Sequence, residues 1–163
     1  MDKHDRSPLK QLNLKDPWQL LAVGLGSGLA PVAPGTFGSL AALPLCMLLV
    51  YCPWHVVLVV VLLTFVLGLK AASAAEKVLG MHDNSAVVID EFAGMFVAVM
   101  FYPPVWYYAL LAFVLFRIFD IFKPFPVFVA DRRVGGALGV MLDDILAGIY
   151  ALLAAQLIFF VML

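Results

Sequence analysis

The chain has 163 residues, of which 64% are hydrophobic and only 13% charged, and its formal net charge is −1. A soluble domain carries roughly 25% charged residues, so the composition argues against a soluble protein and favours an integral membrane protein. The near-neutral charge argues against a nucleic-acid partner, and the length suits one domain over residues 1–163, with residues 1–17 as a polar N-terminal arm.

The apolar stretch that follows the arm, residues 20–38, is rich in glycine and proline. These residues exclude a regular membrane-spanning helix. Non-helical backbone is tolerated at membrane depth only where protein or a water-filled cavity covers it. The stretch is therefore predicted to be a re-entrant loop or a cap over a cavity.

Five apolar runs follow and predict about five membrane helices. They cover residues 38–50, 56–79, 86–102, 105–123 and 141–163. Gly80 is predicted to end the second helix and Pro124 the fourth, and residues 127–139 are predicted to form a polar, glycine-rich loop. Several runs are shorter than the ~20 residues that cross a bilayer upright. The predicted fold class is an all-α, polytopic membrane helical bundle.

Threading the chain with its N-terminus inside gives a topology. All ten Lys and Arg residues then lie on one side, as the positive-inside rule expects. The acidic residues of the helices fall on the same side. The charged residues are therefore predicted to lie at one face of the membrane, at the depth of the headgroups.

One predicted helix carries a thin charged face. The segment 116–123 reads F-R-I-F-D-I-F-K, so Arg117, Asp120 and Lys123 are spaced three apart and share one side of an otherwise apolar helix. In a membrane such a face turns toward protein, water or a ligand.

Acidic residues lie on three predicted helices where each apolar run meets the inner face: Asp90, Glu91, Asp120, Asp143 and Asp144. Together they would repel one another, and a bound divalent cation would remove that penalty. Oxygen ligands favour Mg²⁺, Mn²⁺ or Ca²⁺ over zinc. The alternative is that Asp90 and Asp143 are helix caps and that Asp120 pairs with Arg117 or Lys123. Separate caps do not explain an acid in the middle of a helix.

Two further features could bind phosphate. Arg117 and Lys123 offer positive charge, although lysine near a helix end also extends toward anionic headgroups without binding a substrate. The segment 34–39, P-G-T-F-G-S, contains Thr36 and Ser39 beside glycines before a helix, which favours an anion-binding turn. A simple helix-entry turn capped by either hydroxyl is the alternative.

Residues that are absent narrow the chemistry. The sequence has no Cys-x₅-Arg loop, which excludes the thiol phosphatases, and no D-x-D-x-[TV] motif of the enzymes that form an aspartyl phosphate. It has no Ser-His-Asp arrangement, and His55 maps to the far side of the membrane, which argues against a histidine nucleophile. Carboxylates, a metal ion and Arg or Lys remain. That set suits metal-assisted phosphoryl transfer to water or to a hydroxyl group.

Four blocks, in this order, resemble the phosphatidylglycerophosphatase A family of bacterial inner-membrane phosphatases. The blocks are G-S-G-L-A-P-V-A-P-G-T-F-G-S at 26–39, D-N-S-A-V-V-I-D-E-F-A-G at 83–94, F-R-I-F-D-I-F-K-P-F-P at 116–126 and G-V-M-L-D-D-I-L-A-G at 139–148. The resemblance implies Mg²⁺-dependent hydrolysis of phosphatidylglycerophosphate to phosphatidylglycerol and phosphate. It also implies that the five acids and Lys123 are the functional residues, with a phospholipid as substrate and the active site facing the cytoplasm.

Two other functions are weighed against this one. A membrane phosphotransferase with a similar acid cluster would carry a D-x₂-D-G-x₂-A-R type of signature, which the sequence lacks. A small transporter that relays protons or cations would often show inverted repeats and charge at the membrane midplane. The charge here is predicted at one face, and the sequence shows no repeat.

Overall fold

The computed structural model describes residues 7–81 and 84–162, so residues 1–6 of the predicted polar arm lie outside the described part. All regular secondary structure in the described ranges is helical, in agreement with the predicted class. The α-helices are α1 (Pro17–Ala22), α2 (Pro34–Leu49), α3 (Trp54–Leu79), α4 (Ile89–Ala98), α5 (Tyr108–Phe122), α6 (Val127–Arg133) and α7 (Gly136–Met162). A 3₁₀ helix at Ser7–Gln11 precedes them.

The glycine- and proline-rich stretch forms no continuous helix, as predicted. After α1, an irregular turn spans Gly24–Leu29, where Leu25 and Gly26 have φ of 57° and 103°. Helix α2 then begins at Pro34, four residues before the predicted start, because proline is well suited to the first position of a helix. The segment predicted as an anion-binding turn is therefore the first turn of α2.

Two helices, α3 and α7, are long and apolar enough to cross a membrane. Only 28% of the most apolar window of each is buried inside the protein, so most of that surface faces outward. Helices α2, α4 and α5 have 16, 10 and 15 residues. At about 1.5 Å per residue they are shorter than the ~30 Å hydrocarbon core of a bilayer. The count of five membrane helices therefore stays a prediction.

Helix α4 forms the centre of the bundle. It packs against α2, α3, α5 and α7, and nearly all of its residues are buried. A Cβ atom on Gly94 would collide with the ring of Phe116 and the backbone carbonyl of Asp144, and one on Gly148 would collide with the carbonyl of Gly94. The two glycines thus let α4, α5 and α7 approach closely, which brings together the helix ends that carry the acids.

Two predictions for the region after α5 are wrong. The predicted loop at 127–139 contains α6, because Val127 and Ala130 are buried against the bundle and anchor a short helix there. Helix α7 begins at Gly136, whose φ of 67° is left-handed, instead of at Met141. The consecutive acids Asp143 and Asp144 therefore lie within α7 and are not its caps.

Candidate active site

The N-terminal parts of α4 and α7 meet the C-terminal end of α5 around a cavity of about 330 Å³. All five acids predicted from the sequence and Lys123 line it: Asp90, Glu91, Asp120, Lys123, Asp143 and Asp144. Asp90 and Glu91 lie in the first turn of α4, whose cap position is Val88, so Asp90 is not a helix cap. The acids that the sequence places on three helices thus face one space.

Three of these carboxylates could hold a metal ion. Glu91, Asp120 and Asp144 each offer one oxygen, and the three oxygens all lie within 4.8 Å of one another. Glu91 and Asp144 are buried, with 7% and 3% of their surface exposed. Buried carboxylates at this separation repel one another strongly unless a cation lies nearby. Hard divalent cations prefer a site built only of oxygens.

Unpaired oxygens in the same cavity support this interpretation. Among the described residues, Oδ1 of Asp90, Oδ1 of Asp143 and Oδ2 of Asp144 are buried and have no hydrogen-bond partner. A buried polar atom without a partner is costly and usually indicates a water molecule or an ion that completes the site. Three such carboxylate oxygens around one cavity fit a metal and its water ligands.

Arg117 and Ser39 contact the acids. The Nη1 atom of Arg117 lies 2.7 Å from Oε2 of Glu91 and 2.8 Å from Oδ2 of Asp120. The Ser39 hydroxyl is fully buried and lies 2.7 Å from the same Glu91 oxygen. Neither Arg117 nor Ser39 is among the residues that line the cavity. Their contacts hold two carboxylates of the triad in place, and the phosphate-binding role predicted for them stays a prediction.

Lys123 ends α5 and reaches across the cavity. Its backbone is left-handed, with φ of 42°, and its Nζ lies 2.6 Å from Oδ2 of Asp143 and 2.5 Å from Oδ1 of Asp131. Burial alone would lower the pKa of the Lys123 ammonium, but hydrogen bonds and charge from Asp131 and Asp143 outweigh burial and raise the pKa. Lys123 is therefore positively charged at neutral pH.

Other predicted and unpredicted residues lie at the edge of the cavity. Thr36 is half-buried in the first turn of α2 and does not line the cavity, whereas its neighbour Gly35 does. Asp131 and Arg132 of α6 also line it, and the sequence did not single them out as site residues. The available signal was the D-R-R triplet at 131–133, which the topology already placed on the inner face.

Comparisons with known proteins identify the family of the chain. The family model described as phosphatidylglycerophosphatase A matches residues 20–159. A phosphatidylglycerophosphatase A of Escherichia coli is 40% identical over 99% of this chain and 92% of its own length, and one of Haemophilus influenzae is 42% identical over 91% and 93%. A putative phosphatidylinositol-3-phosphatase of Bacteroides thetaiotaomicron is 43% identical over 81% of this chain and 87% of its own length. No solved structure matches the chain significantly.

The matched region contains every residue of the acidic cavity, and the relatives cover nearly the whole chain. Two long apolar helices together with lipid-phosphatase relatives indicate a membrane-associated enzyme that acts on a phospholipid. The chain therefore belongs to the phosphatidylglycerophosphatase A family of phosphatases.

Proposed function

We propose that this protein hydrolyses the terminal phosphate monoester of phosphatidylglycerophosphate, with Mg²⁺, at the cytoplasmic face of the bacterial inner membrane. The observation that carries the proposal is the meeting of Glu91, Asp120 and Asp144 from three helices beside one cavity. Two relatives named phosphatidylglycerophosphatase A, which match over 99% and 91% of this chain, support the choice of substrate.

The residues present fit a divalent cation. Glu91, Asp120 and Asp144 would bind the cation. Asp90 and Asp143 would bind it directly or through water. Oxygen-only donors and the usual partnership of Mg²⁺ with phosphates favour Mg²⁺. When bound, the ion would neutralise charge on the phosphoryl oxygens and polarise the phosphorus toward attack.

The side chains around the cavity supply the remaining chemistry. Water attacks phosphorus, a carboxylate such as Asp90 or Asp143 accepts its proton, and the bond from phosphorus to the glycerol oxygen breaks. The carboxyl group then returns this proton to the leaving oxygen, which departs as an alcohol, and the carboxylate is regenerated. The Lys123 ammonium would exchange one of its carboxylate partners for a phosphoryl oxygen and stabilise charge there. Arg117 and Ser39 would keep Glu91 and Asp120 oriented for the cation.

Charge and hydropathy support the proposed placement in the membrane. Outward-facing apolar side chains on α3 and α7 would contact acyl chains, and the basic residues would lie on the cytoplasmic side. Helices α2, α4 and α5 would complete a five-helix bundle over residues 1–163, with α4 shielded from lipid by its neighbours. The lipid would remain in the bilayer while its phosphate monoester enters the cavity sideways.

Phosphate release from phosphatidylglycerophosphate in detergent micelles tests the proposal. We expect turnover by the purified protein that rises with Mg²⁺, stops with EDTA and returns when Mg²⁺ is restored. Turnover that persists in EDTA would exclude the metal. No phosphate release at any Mg²⁺ concentration, from a protein whose thermal unfolding is cooperative, would exclude the substrate.

A further inference from the structure

Arg132 stands between the acidic cavity and a second, open groove. The groove has a volume of about 480 Å³ and lies along the outer side of α5 and α6. Lys123, Asp131 and Arg132 line both spaces, so the groove adjoins the cavity at these residues. A ligand that extends from the cavity into the groove passes Arg132.

The charged side chains at this junction differ in their ion pairing. The carboxylate of Asp131 is paired with Lys123, which also pairs with Asp143. Arg132 makes no ion pair within the described part of the chain, and its guanidinium lies 6.0 Å from the ring centre of Phe128. Arg132 thus presents an uncommitted planar cation at the mouth of the cavity. A guanidinium is well suited to a phosphate group.

The rest of the groove is apolar. Ile121 and Phe122 are 66% and 78% exposed and form one wall, and Phe128 of α6 forms the other. Large exposed apolar side chains of this kind mark a surface that contacts lipid or another apolar partner. The junction therefore runs from an acidic interior, past the Arg132 guanidinium, to an apolar exterior.

A phospholipid with two phosphates matches this order. In phosphatidylglycerophosphate a glycerol unit separates the terminal monoester from a phosphodiester, and the diester joins directly to the acylated glycerol. With the monoester at the acids and the acyl chains outside, the diester lies at the mouth of the cavity. We propose that Arg132 binds this phosphodiester and so selects lipids that carry a second phosphate between the monoester and the acyl chains. This inference rests on the proposed function.

The experiment compares Arg132→Gln with Arg133→Gln in the purified, full-length enzyme. Arg133 is the adjacent, exposed arginine, and it lines neither space. Two quantities are measured: kcat/KM for phosphatidylglycerophosphate, and the inhibition constant of inorganic phosphate, which probes the monoester position alone. A third variant, Arg132→Lys, keeps the charge and loses the planar fork.

We expect Arg132→Gln to lower kcat/KM by about tenfold or more, as for loss of a hydrogen bond to a charged group, while the phosphate inhibition constant stays within about twofold. Arg132→Lys should recover part of the loss, and Arg133→Gln should match the wild type. An equal weakening of phosphate inhibition would overturn the proposal, because Arg132 would then serve the monoester. Equal effects of Arg132→Gln and Arg133→Gln would also overturn it, since any surface arginine near the membrane would suffice. Failure of the wild type to hydrolyse this lipid would instead refute the proposed function.

Discussion

The two ends of the helical bundle share helices but differ in their side chains, which are charged at one end and aromatic at the other. At one end, five acids and Lys123 surround a cavity. At the other end, aromatic rings pack edge to face, with the ring of Phe159 4.8 Å from that of Tyr108 and 5.5 Å from that of Tyr102. The segments 50–56 and 100–108 at that end contain no Lys, Arg, Asp or Glu.

Helices α5 and α7 connect the two ends. Helix α5 begins at Tyr108 and carries Asp120 near its other end. Helix α7 carries Asp144 in its third turn and Phe159 near its C-terminal end. Tryptophan and tyrosine are typical of the membrane interface. This difference suits an aromatic end that anchors the bundle and an acidic end that carries the proposed active site. Changes at the two ends should therefore have separable effects.

The largest effect is expected from Asp144→Asn. The amide keeps the size of the side chain but removes one negative charge from the carboxylate triad. We expect phosphate release from phosphatidylglycerophosphate to fall by about 100-fold or more, because electrostatic stabilisation at the phosphoryl group is lost. Full turnover by a folded Asp144→Asn protein would show that the Asp144 carboxylate is not needed for catalysis.

Lys123→Gln should have the next largest effect. The variant removes the positive charge that contacts Asp143 and Asp131 at the cavity wall. We expect kcat/KM to fall by about 10- to 100-fold, with partial recovery in Lys123→Arg, as for a charge-assisted hydrogen bond. Steady-state kinetics on the same lipid measure both variants. Equal activity of Gln and Arg at this position would show that the charge is not used.

The acidic end also depends on close helix packing, and Gly94→Ala tests it. The added methyl group would push against Phe116 and the backbone of Asp144, so we expect the variant to lose about 1–3 kcal/mol of unfolding free energy. Gly135→Ala is the matched control, because its added methyl group meets no atom within 4 Å. Thermal unfolding in detergent compares them, and equal stability of the two variants would contradict the packing described here.

The smallest effect is expected at the aromatic end. Trp106 lies there beside Tyr107, with ring centres 6.0 Å apart, and is about half exposed. Trp106→Phe keeps an apolar ring, so we expect kcat/KM to change by less than about twofold, in the range of ordinary surface substitutions. A loss as large as that of Lys123→Gln would show that the two ends are coupled.

The sequence predicted the helical class and the meeting of the acids because both depend on local signals. Apolar runs define helices, and Gly80 ends α3 in a left-handed conformation as expected. The acids lie where each run becomes polar, so one topology collects them at one face. The third run was the exception, since its helix covers only Ile89–Ala98.

Contacts between segments that are far apart in the chain could not be predicted from the sequence alone. The three-residue spacing allowed the pairing of Asp120 with Arg117, which the structure confirms, but it could not predict the contact of Arg117 with Glu91 on another helix. The segment 127–139 was predicted as a loop from its charged residues and glycines, whereas α6 is held by burial of Val127 and Ala130, which only the packed bundle reveals. The position of Arg132 at the cavity mouth follows from α6 and was missed with it.

Binding of Mn²⁺, followed by electron paramagnetic resonance of the purified protein, tests the central claim most directly. We expect the wild type to bind Mn²⁺ in competition with Mg²⁺ and the Asp144→Asn variant to bind Mn²⁺ far more weakly while remaining folded. Unchanged binding by the variant, or hydrolysis by a wild type that binds no divalent cation, would contradict it.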